Sequence, residues 1–455
     1  VVVVLALLSV AAALPAPKKD TTFAHGRDAV YEDQHQPLTA VDPSAMLEAP
    51  PHLRSTPSSS SGNNGWTVPG FTLTVAPVTP RAGGAIHCSD FVELTVTAAV
   101  ANDTHWVAAY SPAGANVTQV APTKYAILTE VSPNYLSTGV AKVKFELTCM
   151  RADYDFVLFT DDWVKRQSWR QDLTAVAVAV ARSPAVTLKD ASGPRKPRVV
   201  IPPGAGGSGS LPAAATTGST AAAAAAASTF SVVWSSGRAS TAQPALRWWN
   251  DATPSVVTVV PAATETYGKA ELCGAPATTT GYRDIGFIHS AAIANAPRGA
   301  KVRYQLIDNA GGKYPADGEP ALTLAVPPAV TKTTSATDKP FTIAMFADMG
   351  RGTADDSKTW HEYGSPAVNV SSAIAADAAA ARIGAAFLFG DLAYATGYAS
   401  VWDEWMEQVS PFASRVPFLV NMGNHEFDSP PGTWPADSPG DIYGGSDSGG
   451  GGGGA

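Results

Sequence analysis

Charge is scarce in this chain. Asp, Glu, Lys and Arg make up 15% of its 455 residues, and the formal net charge is −8. That balance offers no basic surface to nucleic acid or to an anionic membrane. Cysteine is equally sparse: Cys88, Cys149 and Cys273 are the full set, and no two have the spacing of a zinc site. Cys88 and Cys149 can pair within one β-domain in an oxidising compartment, which leaves Cys273 over. The apolar run Val1 to Ala13 is too short to span a bilayer comfortably, and no other segment reads as transmembrane. Histidine is absent after His425. Glycine and proline are plentiful, and 45% of residues are apolar. That mix favours β-rich domains joined by loops and excludes disorder of the chain as a whole.

Val1 to Ala13 is an apolar run of signal-peptide length, Ala11-Ala12-Ala13 offers a cleavage site, and polar sequence begins at Lys18-Lys19-Asp20. Residues 1–16 therefore read as a signal peptide, incomplete because no initiator Met and no basic segment precede it. The protein is expected to be secreted. Sequons at Asn102, Asn116 and Asn369 fit that route. Residues 17–66, rich in Pro and Ser, read as a disordered leader. Period-two alternation begins at Phe71-Thr72-Leu73-Thr74-Val75 and recurs at Phe91 to Val96 and Val143 to Leu147, with denser apolar runs at Asp155 to Phe159 and Ala175 to Val180. Short strands between Pro, Gly and Asn turns predict a β-sandwich over 67–190.

A short basic stretch follows, Arg195-Lys196-Pro197-Arg198, then low-complexity sequence at 202–228. Strands resume at Phe230 to Trp234 and continue through Leu246 to Trp249, Val256 to Val260, Val302 to Leu306 and Leu322 to Val326. They predict a second sandwich over 195–330, with the low-complexity segment as an insert. After Pro340 the rhythm changes. Phe341 to Ala347, Ala385 to Phe389 and Pro417 to Val420 are buried-strand runs. Between them lie a helix from Ser365-Pro366 or Asn369 that stops at Gly384, and a helix capped by Ser400 that carries Trp402, Trp405 and Val409. The βαβαβ order over 340–455 implies a parallel sheet with right-handed crossovers.

Each of the three strands ends in a polar cluster: Asp348-Met349-Gly350, Gly390-Asp391-Leu392-Ala393-Tyr394 and Gly423-Asn424-His425-Glu426. In open α/β sheets ligands bind outside the carboxyl ends of the strands, so the clusters should converge at one rim. Carboxylate, phenolate and amide oxygens suit hard cations. Asp391 can bridge two metals and Asp348 can hold one. Asn424 can hold the other through a neutral carbonyl, which leaves that ion the stronger Lewis acid. Two metals about 3.5–4 Å apart polarise a phosphoryl oxygen, generate hydroxide near neutral pH and clamp an in-line displacement. His425, beside a ligand, is placed to orient phosphate or protonate the leaving group.

These clusters resemble the first three of five metallophosphoesterase motifs, with Tyr394 in the position that marks the purple acid phosphatases. Gly281-Tyr282-Arg283-Asp284-Ile285-Gly286-Phe287-Ile288-His289, Ala399 to Asp403 and Tyr443 to Gly450 are similar to segments of the large plant and algal members, so the resemblance covers about 70 to 450. It implies Asp348, Asp391 and Tyr394 on Fe(III), Asp391 and Asn424 on a divalent ion (Zn, Mn or Fe), and His425 as the catalytic residue. It also implies two N-terminal all-β sandwiches, the second fibronectin-III-like, before a partial α/β metallophosphoesterase domain. The expected activity is hydrolysis of phosphate esters or anhydrides. The partner is a phosphate ester, with no nucleic acid and no membrane; a homodimer is compatible with the sequence. The family's fourth and fifth motifs supply histidines to both metals, so the chain is expected to be C-terminally truncated and poorly active.

Two other functions compete. One is a non-iron metallophosphoesterase, such as a nucleotide pyrophosphatase or phosphodiesterase; the other is a secreted, non-catalytic β-sandwich binding protein. Several residues read as structural. His289 is a packed histidine, Trp402 and Trp405 are core, and one of Trp248 and Trp249 is buried while the other is exposed. His361 and Glu362 lie at the surface or the substrate rim. The acidic residues of 403–407 form a solvated helix face.

Overall fold

The computed structural model describes residues 65–81, 84–160, 178–202, 227–237, 243–272, 274, 277–308, 312–328, 341–352, 354–358, 365–395, 397–423 and 426. The signal peptide, the leader up to residue 64, most of the low-complexity insert, Cys273, His361, Glu362, Asn424, His425 and the glycine-rich end lie outside them; Trp66, read as the last leader residue, already belongs to a strand.

The first unit is a sandwich of β1 (Trp66–Thr67), β2 (Phe71–Pro77), β3 (Phe91–Ala98), β4 (Trp106–Tyr110), β5 (Lys124–Ile127), β6 (Val140–Glu146), β7 (Asp155–Phe159) and β8 (Ala179–Arg182). One sheet runs β1-β8-β7-β4-β5 and the other β2-β3-β6, and a disulfide joins Cys88 to Cys149. The three-stranded sheet alternates as the sequence predicts; β3 buries Val92, Leu94 and Val96. β4 and β7 do not alternate, since all five residues of each are buried. Val107, Ala109, Phe156 and Leu158 face the sandwich core, while Trp106, Ala108, Tyr110, Val157 and Phe159 belong to a second core shared with the last unit. Density of apolar residues in these strands thus records burial on both faces.

The second unit holds β9 (Arg195–Val200), β10 (Ala227–Ser236), β11 (Ala245–Asn250), β12 (Val257–Pro261), β13 (Ala263–Glu265), β14 (Phe287–Pro297), β15 (Lys301–Ile307), β16 (Lys313–Tyr314) and β17 (Leu322–Ala325). Its sheets run β13-β14-β10-β9 and β12-β11-β15-β16, with β17 also on β15. The basic stretch Arg195 to Arg198 opens the first strand of this unit. Trp248 and Trp249 are both half-buried: Trp248 packs against the core, and Arg247 lies 5.5 Å from the Trp249 ring. His289 is fully buried, its ring nitrogens bonded to Ser236 (2.7 Å) and Thr264 (2.9 Å).

The third unit is a parallel sheet of β18 (Ile343–Phe346), β19 (Ala385–Phe389) and β20 (Phe418–Asn421), connected by α1 (Ser365–Ala379) and α2 (Ala399–Ala413). α1 ends before Gly384, and Ser400 is a buried residue inside α2 rather than its cap, a place taken by Tyr398. Ile374 and Ala378 of α1, Trp405, Val409 and Phe412 of α2, and Ala386, Leu388 and Phe418 of the sheet complete the core shared with the first sandwich. On this unit Met345, Phe389, Val420 and Met422 remain more than 40% exposed.

The acidic start of α2 is the largest departure from expectation. Asp403 and Glu404 are buried, not solvated. Asp403 accepts two 2.7 Å bonds from Arg151 of the first unit and one of 2.5 Å from Lys196 of β9. Burial works against its charge, but those two cations outweigh it and hold its carboxyl at about 2. Glu404 pairs with Arg351 and lies 4.0 Å from the Lys124 ammonium, which also donates to Asp355 at 3.0 Å. Helical periodicity marks these positions as outward-facing; cations supplied from all three units are what make their burial affordable.

Two outcomes follow from this packing. Replacing Lys124 by Met takes the cation from buried Asp355 and leaves Glu404 with Arg351 alone, so urea unfolding should show a loss of about 3–5 kcal/mol, whereas Lys142→Met, which breaks the exposed pair with Glu93, should cost less than about 1 kcal/mol. For His289, burial lowers the ring's pKa to about 4, so below about 6.5 the unfolded chain takes up the proton first. Stability from this site is full above that pH and drains as pH falls toward about 4. His289→Gln should flatten the fall in melting temperature through that window; an unchanged slope would assign the loss elsewhere.

Candidate metal centre

The carboxyl ends of β18 and β19 carry Asp348 and Asp391 into one rim. The ladder between the strands continues past their ends: Asp348 N–H donates to Gly390 O at 3.3 Å and Gly350 N–H to Leu392 O at 3.0 Å. Asp391 and Tyr394 are buried, and Asp348 is exposed at the outer edge. The Tyr394 hydroxyl stands between the carboxylates, 3.1 Å from Asp348 Oδ1 and 3.3 Å from Asp391 Oδ2.

All three residues take left-handed backbone, with φ of 52°, 50° and 50° for Asp348, Asp391 and Tyr394. Such conformations cost about 1–3 kcal/mol each in a residue bearing a Cβ and persist where surrounding structure imposes them. Two glycines make the crowding possible. A Cβ on Gly390 would lie 2.5 Å from Gly423 Cα, and one on Gly423 would strike the Asp391 backbone. The turns after β19 and β20 therefore touch at bare backbone.

The turns are also held by side chains that sequence reading left without a role. Gln408 of α2 donates from Nε2 to Gly350 O at 3.1 Å and accepts from Gly352 N–H at 2.9 Å. Glu426 accepts from Asp391, Leu392 and Gly423 N–H, each at 2.8 Å. The only sequence signal for Glu426 is its place in Gly-Asn-His-Glu; Gln408 has none. Farther along the first of these turns, Asp355 Oδ2 accepts from Glu146 N–H at 2.7 Å, Asp356 Oδ2 from Lys144 N–H at 2.9 Å, and Lys358 exchanges backbone bonds with Tyr125. The segment carrying Asp348 thus ends by covering the edge strands β5 and β6 of the first sandwich.

The structure brings together Asp348, Asp391 and Tyr394; Asn424 and His425 lie outside the described residues. Among those residues no group of three His, Cys, Asp or Glu is placed for a metal, so the cluster depends on the phenol oxygen. Two carboxylates and a phenol at one point fit a hard cation. The hydroxyl places its one proton between the two carboxylates, so three oxygens converge there.

Residues 78–165 match the family described as the Fn3-like domain from Purple Acid Phosphatase. The match falls on the first sandwich, whereas the sequence reading attached that likeness to the second. The chain is 30% identical over 381 residues to "Probable inactive purple acid phosphatase 27" of Arabidopsis thaliana, covering 79% of this chain and 53% of that protein. It is 36% identical over 88 residues to a "Nucleotide pyrophosphatase/phosphodiesterase" of Hordeum vulgare, covering 19% and 23%. The solved purple acid phosphatase from yellow lupin (Lupinus luteus) seeds superposes with a TM-score of 0.62 at 25% identity, covering 80% of this chain and 58% of that one. The chain spans about half the length of the Arabidopsis relative it matches. Over about four-fifths of its length the chain is similar to purple acid phosphatases in sequence and in fold.

Proposed function

We propose that the chain carries part of a phosphohydrolase centre acting on phosphate esters or anhydrides in the extracellular space. The observation that carries this reading is the Tyr394 hydroxyl between Asp348 Oδ1 and Asp391 Oδ2. A bound Fe(III) and divalent ion would supply Lewis acidity and an activated water. Asp348 and Tyr394 would hold the trivalent ion, Asp391 would face both, and Asn424 would hold the divalent one. Asp391 and Tyr394, buried at the rim, keep the donors in a shell of low polarity where charge acts strongly, while exposed Asp348 leaves the outer side open to substrate. His425 would orient phosphate or move a proton to the leaving oxygen.

A second reading is a nucleotide pyrophosphatase or phosphodiesterase without iron, favoured by the barley relative's likeness over 88 residues. The word "inactive" in the Arabidopsis relative's name favours a third, in which this architecture binds without turnover.

A chromogenic phosphomonoester and a phosphodiester, each with Fe(III) and Zn(II) supplied, separate the three. The first reading expects monoester turnover and a visible absorption band that disappears in Tyr394→Phe. Asp391→Ala should lower kcat/KM by more than the ~10- to 100-fold typical of losing an outer-shell partner. Diester turnover without the band selects the second reading, and no turnover with either ester selects the third. Hydrolysis that survives Asp391→Ala rules out the two-metal site.

A further inference from the structure

One carboxylate touches two of the turns that must stay in register for the oxygens of the centre to meet. Glu426 Oε2 accepts from Asp391 N–H and from Gly423 N–H at 2.8 Å each, and its Oε1 accepts from Leu392 N–H at 2.8 Å. We propose that Glu426 is a positioning residue for the metal centre, locking the turn after β19 onto the turn after β20 and so fixing the direction of Asp391. The inference rests on the metal-centre reading above.

The chemistry of the group matches the task. An ionised carboxylate has acceptors only, on two oxygens with about four lone-pair sites. It can therefore take three amide protons without presenting a donor to any of them. The left-handed conformation of Asp391 (φ 50°) turns its N–H and that of Leu392 toward the same anion, the arrangement of an anion-binding nest. Bonds to a charged acceptor are roughly twice as strong as neutral ones, which suits a turn held in a strained conformation. Gly390 and Gly423, touching at bare backbone, leave no side chain that could replace the clip.

Glutamine tests the acceptor count. It has one oxygen, and its NH2 must face at least one of the three N–H groups. Aspartate, a methylene shorter, tests reach. The full 455-residue chain, as wild type, Glu426→Gln, Glu426→Asp and Asp391→Ala, would be titrated with Zn(II) alone. Hydrogen exchange would be followed in the peptide spanning 390–395. In both Glu426 variants the inference expects Zn(II) affinity to fall about 10- to 100-fold and exchange in that peptide to quicken at least about tenfold. The melting temperature and exchange in the two sandwiches should stay as in wild type. Asp391→Ala should lose Zn(II) as well. Wild-type affinity and exchange in the Glu426 variants, with Zn(II) lost in Asp391→Ala, would overturn the positioning role and leave the metal centre standing. Zn(II) binding unaffected by Asp391→Ala, or absent from wild type, would overturn the metal centre and this inference together.

Discussion

A carboxylate taken out of water must find cations in place, or its burial is too costly to persist. Asp403 imposes that condition on the whole molecule. Its partners come from different units, Arg151 from the first sandwich and Lys196 from β9 of the second. The neighbouring residue repeats the arrangement, since Glu404 meets Arg351 from the segment after β18 and approaches Lys124 of β5. Two adjacent side chains at the start of α2 thus collect cations from every unit. Because α2 also carries Gln408, which holds the turn bearing Asp348, the requirement to pair these charges reaches the candidate centre directly.

The centre itself is made of turns rather than of strands. Asp348, Asp391 and Tyr394 all occupy left-handed backbone, and the energy this costs must be recovered nearby. It is recovered from the glycine contact between Gly390 and Gly423, the Gln408 amide and the Glu426 carboxylate. The first of the turns is anchored farther out as well. It runs on through Asp355 and Lys358 to cover the edges of β5 and β6, so two edge strands of the first sandwich gain backbone partners from the segment that begins at Asp348. The sandwich is in this sense a wall of the site, a role that the shared core behind Trp106 and Phe159 also gives it.

Much of this was legible in the sequence. Strand positions, the βαβαβ order and the convergence of Asp348, Asp391 and Tyr394 all follow from periodicity and from the rule that parallel sheets expose their carboxyl ends. The pairing of Cys88 with Cys149 and the packed state of His289 follow from residue type and context. What could not be read is tertiary in origin. Nothing in the basic run Arg195 to Arg198 shows that Lys196 is buried, because its carboxylate lies on α2, more than two hundred residues away. Asp403 and Glu404 look solvated for the mirror reason. Gln408 is invisible because a neutral amide has no pattern until the backbone it grips is in view. Ser400 has the chemistry of a cap but sits one residue inside the helix, where Tyr398 has already taken that place.

The buried ions also bear on why the units keep one arrangement. Apolar residues of similar volume would serve stability as well or better, since ion pairs recover their desolvation cost only with good geometry. Apolar contacts are tolerant of sliding, however, and ionic ones are not: Arg151 meets both oxygens of Asp403 at 2.7 Å, and a shift of one turn of α2 would leave both charges buried and alone. A site whose donors come from turns after separate strands depends on register more than on depth of stability. Charge pairing at Asp403 and Glu404 fixes where α2 lies, Gln408 then fixes the turn of Asp348, and the oxygens meet because the helix has one place to sit.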